Sequence, residues 1–207
     1  MSILSIALMG FFAFSGTPQA PVSAPTTELS ADVATSSALA LKDSAVVTRP
    51  TTDDTEPLSV LMTSYNAVPE QTDGNPMVTA SGAVSNPEVI AARSVDLAGE
   101  LPFGTVIAIE YDGKDTENCR FHAVESLIGY RVIGDSMNSR MRNKIDILLD
   151  REDTVSVHGK ETNPSLALGL CKGVTVRVVG RIKVSDIPDT QEELRRMIEG
   201  DALAFNR

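Results

Sequence analysis

Two aspartates are set apart from the other acids of this chain by their neighbours. Asp135 follows the apolar run 130–133, and Asp146 lies inside a second one, 145–149. A carboxylate within a β-type run is costly unless it is hydrogen-bonded or paired. One reading is that a carboxyl held there has a raised pKa and can give and take a proton. The other is structural: exposure at strand ends, or ion pairing with Arg140, Arg142 and Lys144 of the connection 138–144. Structural pairs of that kind are common, so spacing alone leaves both readings open. The remaining reactive types are sparse. His122 and His158 lack metal-ligand spacing and there is no Cys-x-x-Cys, so neither a metal nor a cofactor is expected. Cys119 and Cys171 make one disulfide if the chain is exported, or two core thiols if it is not.

Composition narrows the partners. With 28 acidic against 18 basic residues the net charge is -10, which leaves no basic face for nucleic acid. The stretch 131–146 is locally basic, a feature that could draw an anionic polymer but is more often a solvated connection. At 207 residues and 42% hydrophobic, the chain can bury one ordinary core and still carry a tail.

The elements that must position the aspartates begin well inside the chain. Residues 3–14 are an uncharged apolar run, too short for the roughly 20 residues of a membrane span and the right length for an export signal. Its n-region carries no Lys or Arg, so residues 1–20 read as a signal peptide or an uncleaved anchor, the one route to a membrane. Residues 21–57 are rich in Ser, Thr, Ala, Pro and Val without an aromatic, the composition of a disordered linker. The folded region is predicted over 58–186. Strands are expected at 58–67, 89–92, 106–111, 119–125 and 129–133, around Asp146, and at 174–179 and 181–184. Asp73-Gly74-Asn75 marks a turn, Gly82 suits a positive φ, and 112–118 reads as a hairpin loop. Asn163 or Thr162 would cap a short helix over 164–170. A capping-box pattern from Asp189 to Glu192 opens a C-terminal helix and tail, 187–207, with Leu194, Met197 and Ile198 on one face and Gly200 as its stop. Many short strands with few helices indicate a mainly β chain built as a small barrel.

The order of short motifs adds a resemblance. Thr63-Ser-Tyr65, Thr79-Ala-Ser-Gly82, Ile90-Ala-Ala92, Leu101-Pro-Phe-Gly-Thr105, the pair Asp135 and Asp146, and Leu166-Ala-Leu-Gly169 before Gly173-Val-Thr-Val-Arg-Val-Val179 resemble the 3D (Asp-Asp-Asp) domain. They are also similar to the double-psi β-barrel of rare lipoprotein A and of membrane-bound lytic transglycosylase A. The resemblance implies a six-stranded double-psi β-barrel, with short helices and a C-terminal helix, acting in peptidoglycan turnover. It implies a single-acid lytic transglycosylase-type mechanism in which Asp146 protonates the leaving oxygen and then accepts the proton of the attacking 6-hydroxyl. Asp135 would repel or hydrogen-bond Asp146 and so keep it protonated. Thr79, Ser81, Tyr65 and Arg140 would contact substrate. The expected partner is the glycan strand of peptidoglycan, acted on by a monomer in the bacterial periplasm or cell envelope. Two departures stand out: Ser136-Met-Asn-Ser-Arg140 replaces the family's glycine-rich stretch, and Arg93 occupies the place of the first aspartate; a pepsin-like reading of Asp135-Ser136 also fails, because Met137 stands where that motif needs Gly. The competing reading is a barrel of the same shape that binds or scaffolds the wall without catalysis.

Overall fold

The computed structural model describes residues 47–48, 56–72 and 75–204. The apolar run 3–14, most of the stretch 21–57 and the turn residues Asp73 and Gly74 lie outside them. Among the described residues eight strands and three α-helices follow in the order β1 (Leu58–Tyr65), β2 (Ile90–Arg93), β3 (Thr105–Tyr111), α1 (Phe121–Ile128), β4 (Arg131–Ser136), β5 (Lys144–Leu148), β6 (Val155–Val157), β7 (Lys160–Thr162), α2 (Pro164–Leu168), β8 (Cys171–Arg181) and α3 (Gln191–Ala204). The chain is mainly β. Six strands form one sheet that closes on itself in the order β1-β5-β2-β4-β3-β8, and β6 and β7 make a separate two-stranded sheet. Two pairs are parallel, β1 with β5 and β2 with β4, and the other four neighbours are antiparallel.

Alternation of buried and open positions writes the long strand β8. Val174, Val176 and Val178 of β8 are buried between Thr175 and Arg177, which are not. Because side chains alternate across a strand, β5 sends Ile145 and Ile147 to one apolar cluster and Leu148 to another. The first cluster also holds Val60, Met62 and Ile133. The second holds Tyr65, Ile90, Ala92 and Val132, and is covered by Leu194 and Ile198 of α3. Val47 joins this second cluster, and Thr48 exchanges two backbone hydrogen bonds with Arg181, so part of the stretch read as linker is tied to β8. Gly180 makes room for it: a Cβ there would sit 2.4 Å from Val47 Cγ1.

Several expectations are corrected. Residues 119–125, expected as a strand after a hairpin loop, instead lead into α1, whose Phe121, Val124 and Ile128 bury one helical face. The two late strands are one, β8, followed by a 3-10 turn over Val184–Asp186. The helix α3 runs through Gly200, and its first turn is capped by Thr190, whose hydroxyl accepts from Glu193 N at 3.2 Å. Asn163 does cap α2, accepting from Ser165 N at 3.0 Å. Among the described residues no helix is long and apolar enough to cross a membrane.

Arg131 opens β4 and is fully buried. Its guanidinium donates to the carbonyls of Ile128 (2.6 Å), Pro87 (2.6 Å), Leu148 (3.1 Å), Ile90 (3.3 Å) and Leu127. Burial lowers its pKa to about 9. The five-donor fork thus ties β2, β5 and the end of α1 together beneath the site described next.

Candidate active site

The strand β2 runs between β4 and β5, and its Ala92 is the register partner of both aspartates: Asp135 on β4 and Asp146 on β5. Regular alternation would not put both on Ala92's side. Ile133 pairs with Ala91 and belongs to the first cluster, so two residues on, Asp135 should point the same way. The register shifts between Ala91 and Ala92, leaving Gly134 as an extra residue in β4. Such a bulge moves everything after it to the other face. It turns Asp135 toward Ala92 and Asp146, and the alanine methyl leaves space between the two carboxyls. A Cβ at Gly134 would lie 2.7 Å from Ile90 Cδ1, so the bulge and the core meet at this glycine.

The two acids have unlike surroundings. Asp135 Oδ1 accepts from Ala80 N (2.9 Å) and Ser136 N (2.8 Å), and its Oδ2 accepts from the Tyr65 hydroxyl (2.8 Å). Three donors suit the acceptor-only carboxylate. Burial, then the charge of Asp135, raises the Tyr65 phenol far above its ordinary range, so it stays a donor. Asp146 Oδ1 is sealed from solvent without a hydrogen-bond partner. Burial pushes the Asp146 carboxyl up to about 6; Asp135 adds to the rise, while the Thr63 hydroxyl and Lys144 oppose it. Thr63 is Asp146's register partner on β1. Among the described residues neither aspartate forms an ion pair.

Both aspartates line a cleft of about 540 Å³ together with Tyr65, Glu70, Thr79, Ser136, Met137 and Met141. That volume suits a sugar-sized ligand. The other expected contacts fall differently. Thr79 lines the cleft, but its hydroxyl is engaged by Ala83 O (3.2 Å) and Ser81 Oγ (3.1 Å). Ser81 is not in the lining; its N donates to Gly134 O at 3.2 Å, and Ala80 N reaches Asp135. The loop 79–83, with Gly82 at φ 85°, thus braces the bulge. Arg140 sits exposed on the connection and outside the lining. Arg142 folds onto the carbonyls of Ser139 and Met141. Cys119 and Cys171 form a disulfide with Cα atoms 4.6 Å apart, away from the aspartates' lining.

Sequence reasoning missed Ala80, whose contribution is a backbone N–H, and the spacer Ala92. It also passed over Gly134, although an isolated glycine inside a strand pattern is the usual mark of a bulge. Among the described residues no group of three or more His, Cys, Asp or Glu could hold a metal ion. No family model matches the chain, and a search of curated proteins finds no relative.

Proposed function

We propose that this chain turns over peptidoglycan, cleaving the glycosidic bonds of cell-wall glycan strands with Asp146 as the single acid/base. One observation carries the reading: a carboxyl raised to about 6, with one oxygen unpartnered, lies beside a fixed carboxylate at the wall of a sugar-sized cleft. A general acid works best with its pKa near the working pH. Protonated Asp146 gives its proton to the bridging oxygen as the bond from C1 breaks. The 6-hydroxyl of the same sugar then closes on C1 and returns its proton to Asp146, so no water is consumed and a 1,6-anhydro end results. Asp135, held by Tyr65, Ala80 N and Ser136 N, raises Asp146's proton affinity and faces the positive charge that develops at C1. Two parallel pairs within a closed six-stranded sheet support the double-psi form of the barrel. The Cys119–Cys171 bond supports an exported, oxidising setting.

Digestion of purified sacculi followed by mass analysis tests this. Wild type is expected to release 1,6-anhydro muropeptides, and Asp146→Asn to release about a hundredfold less or nothing while remaining folded. Equal release by both proteins refutes the reading. A second reading, a wall-binding barrel without catalysis, is favoured by Met137 and Met141 in the lining and by the engaged hydroxyls of Thr79 and Ser81. It predicts that wild type pellets with sacculi and yields no soluble product.

A further inference from the structure

Both aspartates meet β1. Thr63 is the register partner of Asp146, and its hydroxyl bonds that carboxyl. Tyr65 lies two residues on and so shares Thr63's face of the strand. Its hydroxyl donates to Asp135 Oδ2 at 2.8 Å. The motif Thr63-Ser-Tyr65 thus hands one hydroxyl to each acid. Of the three donors that hold Asp135, two are backbone N–H groups, of Ala80 and Ser136, and only Tyr65 is a side chain. Tyr65 is itself fixed at both ends. Its ring belongs to the second apolar cluster with 9% exposure, and its carbonyl accepts from Leu149 N at 3.0 Å.

The two carboxyls face one another across Ala92, so a proton entering the pair belongs to both until something favours one. A hydrogen bond to the charged form favours that form. We propose that Tyr65 is the positioning residue that sorts this proton: its hydroxyl keeps Asp135 as the carboxylate and leaves the proton to Asp146. The inference rests on the glycan-cleaving reading for the use of that proton, and adds to it the residue that decides which acid carries it. Other charged groups surround the pair. Glu70 lines the cleft, the Arg93 guanidinium reaches Ser136 Oγ at 3.4 Å, and Arg131 acts on Tyr65. Lys144 and the Thr63 hydroxyl favour charge on Asp146 and so oppose the sorting. The Tyr65 hydroxyl works on the other member of the pair.

Carboxyl-carbon NMR of the full chain, with the signals of both aspartates assigned, follows the proton without any substrate. In wild type the step near pH 6 is expected at Asp146. Tyr65→Phe keeps the ring and loses the donor. In that variant the share of the step carried by Asp135, relative to Asp146, should rise about tenfold or more, the worth of a hydrogen bond to a charged group. A step that stays wholly on Asp146 in Tyr65→Phe overturns the inference and leaves the cleavage reading standing. The wild-type chain gives a check that needs no variant: the Tyr65 hydroxyl proton should stay hydrogen-bonded through the step. Its loss at that pH would put the proton on Asp135 and overturn both readings. A wild type that sorts the proton as expected yet releases nothing from sacculi would sink the cleavage reading and keep the sorting.

Discussion

At the scale of single residues, Asp135 and Asp146 show how one side-chain type acquires two roles from its surroundings. Asp135 has three donors and no free acceptor demand; Asp146 has a sealed oxygen and none of those donors. The difference has a thermodynamic signature with a definite sign. The folded state raises Asp146 from its ordinary 3.8 to about 6, so the native chain holds that proton more tightly than the unfolded one. The stability gained from the protonated form is complete below about pH 4 and is lost as pH climbs through about 6. Asp146→Asn removes this titration. Relative to wild type, the variant should therefore gain roughly 2–3 kcal/mol between pH 4 and pH 7.5, the size of a two-unit shift. Urea melts of both proteins at the two pH values measure it. A difference between the proteins that does not change with pH would mean that Asp146 keeps the same proton affinity folded and unfolded.

Among the elements, β4 decides whether there is a site at all, because its bulge brings Asp135 to Asp146's face. Gly134 is where that bulge meets the buried Ile90, whose Cδ1 would lie 2.7 Å from an added Cβ. Gly134→Ala should cost about 1–2 kcal/mol through overpacking. Ile90→Val removes the offending methyl, so the double variant should be more stable than the sum of the two single losses by at least about 0.5 kcal/mol. Urea midpoints of the four proteins close the cycle, and strict additivity would mean that Gly134 does not press on Ile90. The same element marks the limit of reading this fold from residues. Strands at 58–67, 89–92 and 106–111 and around Asp146 were legible, as were a cap at Asn163 or Thr162 and the apolar stripe Leu194, Met197 and Ile198. Residues 119–123 also alternate, Cys-Arg-Phe-His-Ala, and so mimic a strand. Only Val124 and Ile128, placed to share a helical face with Phe121, betray α1. The pairing of Ala92 with two aspartates is a property of strand order, which no local pattern encodes.

For the whole molecule, the question is what holds the two aspartates in one arrangement while the connections around them stay exposed. The Cys119–Cys171 bond closes a segment with a sequence separation of 52 that contains α1, β4, β5, the β6–β7 pair and α2, and thus both Asp135 and Asp146. Closing a loop of that size disfavours the unfolded chain, and native bonds of this kind contribute about 2–4 kcal/mol. Both ends of the staple are buried in the first apolar cluster, and β4 and β5 lie within the segment it closes while β3 and α3 lie outside it, so its loss would loosen the half of the barrel that carries the site first. Reduction, or Cys119→Ser with Cys171→Ser, should lower the free energy of unfolding by that amount in guanidinium melts. Amide exchange should rise more in β4 and β5 than in β3, because local opening follows the weakest cooperative unit. Identical melts with and without reductant would show that the closed sheet alone fixes the aspartates. A uniform rise in exchange would show that the staple acts on the barrel as one body and not on the half that carries the two aspartates.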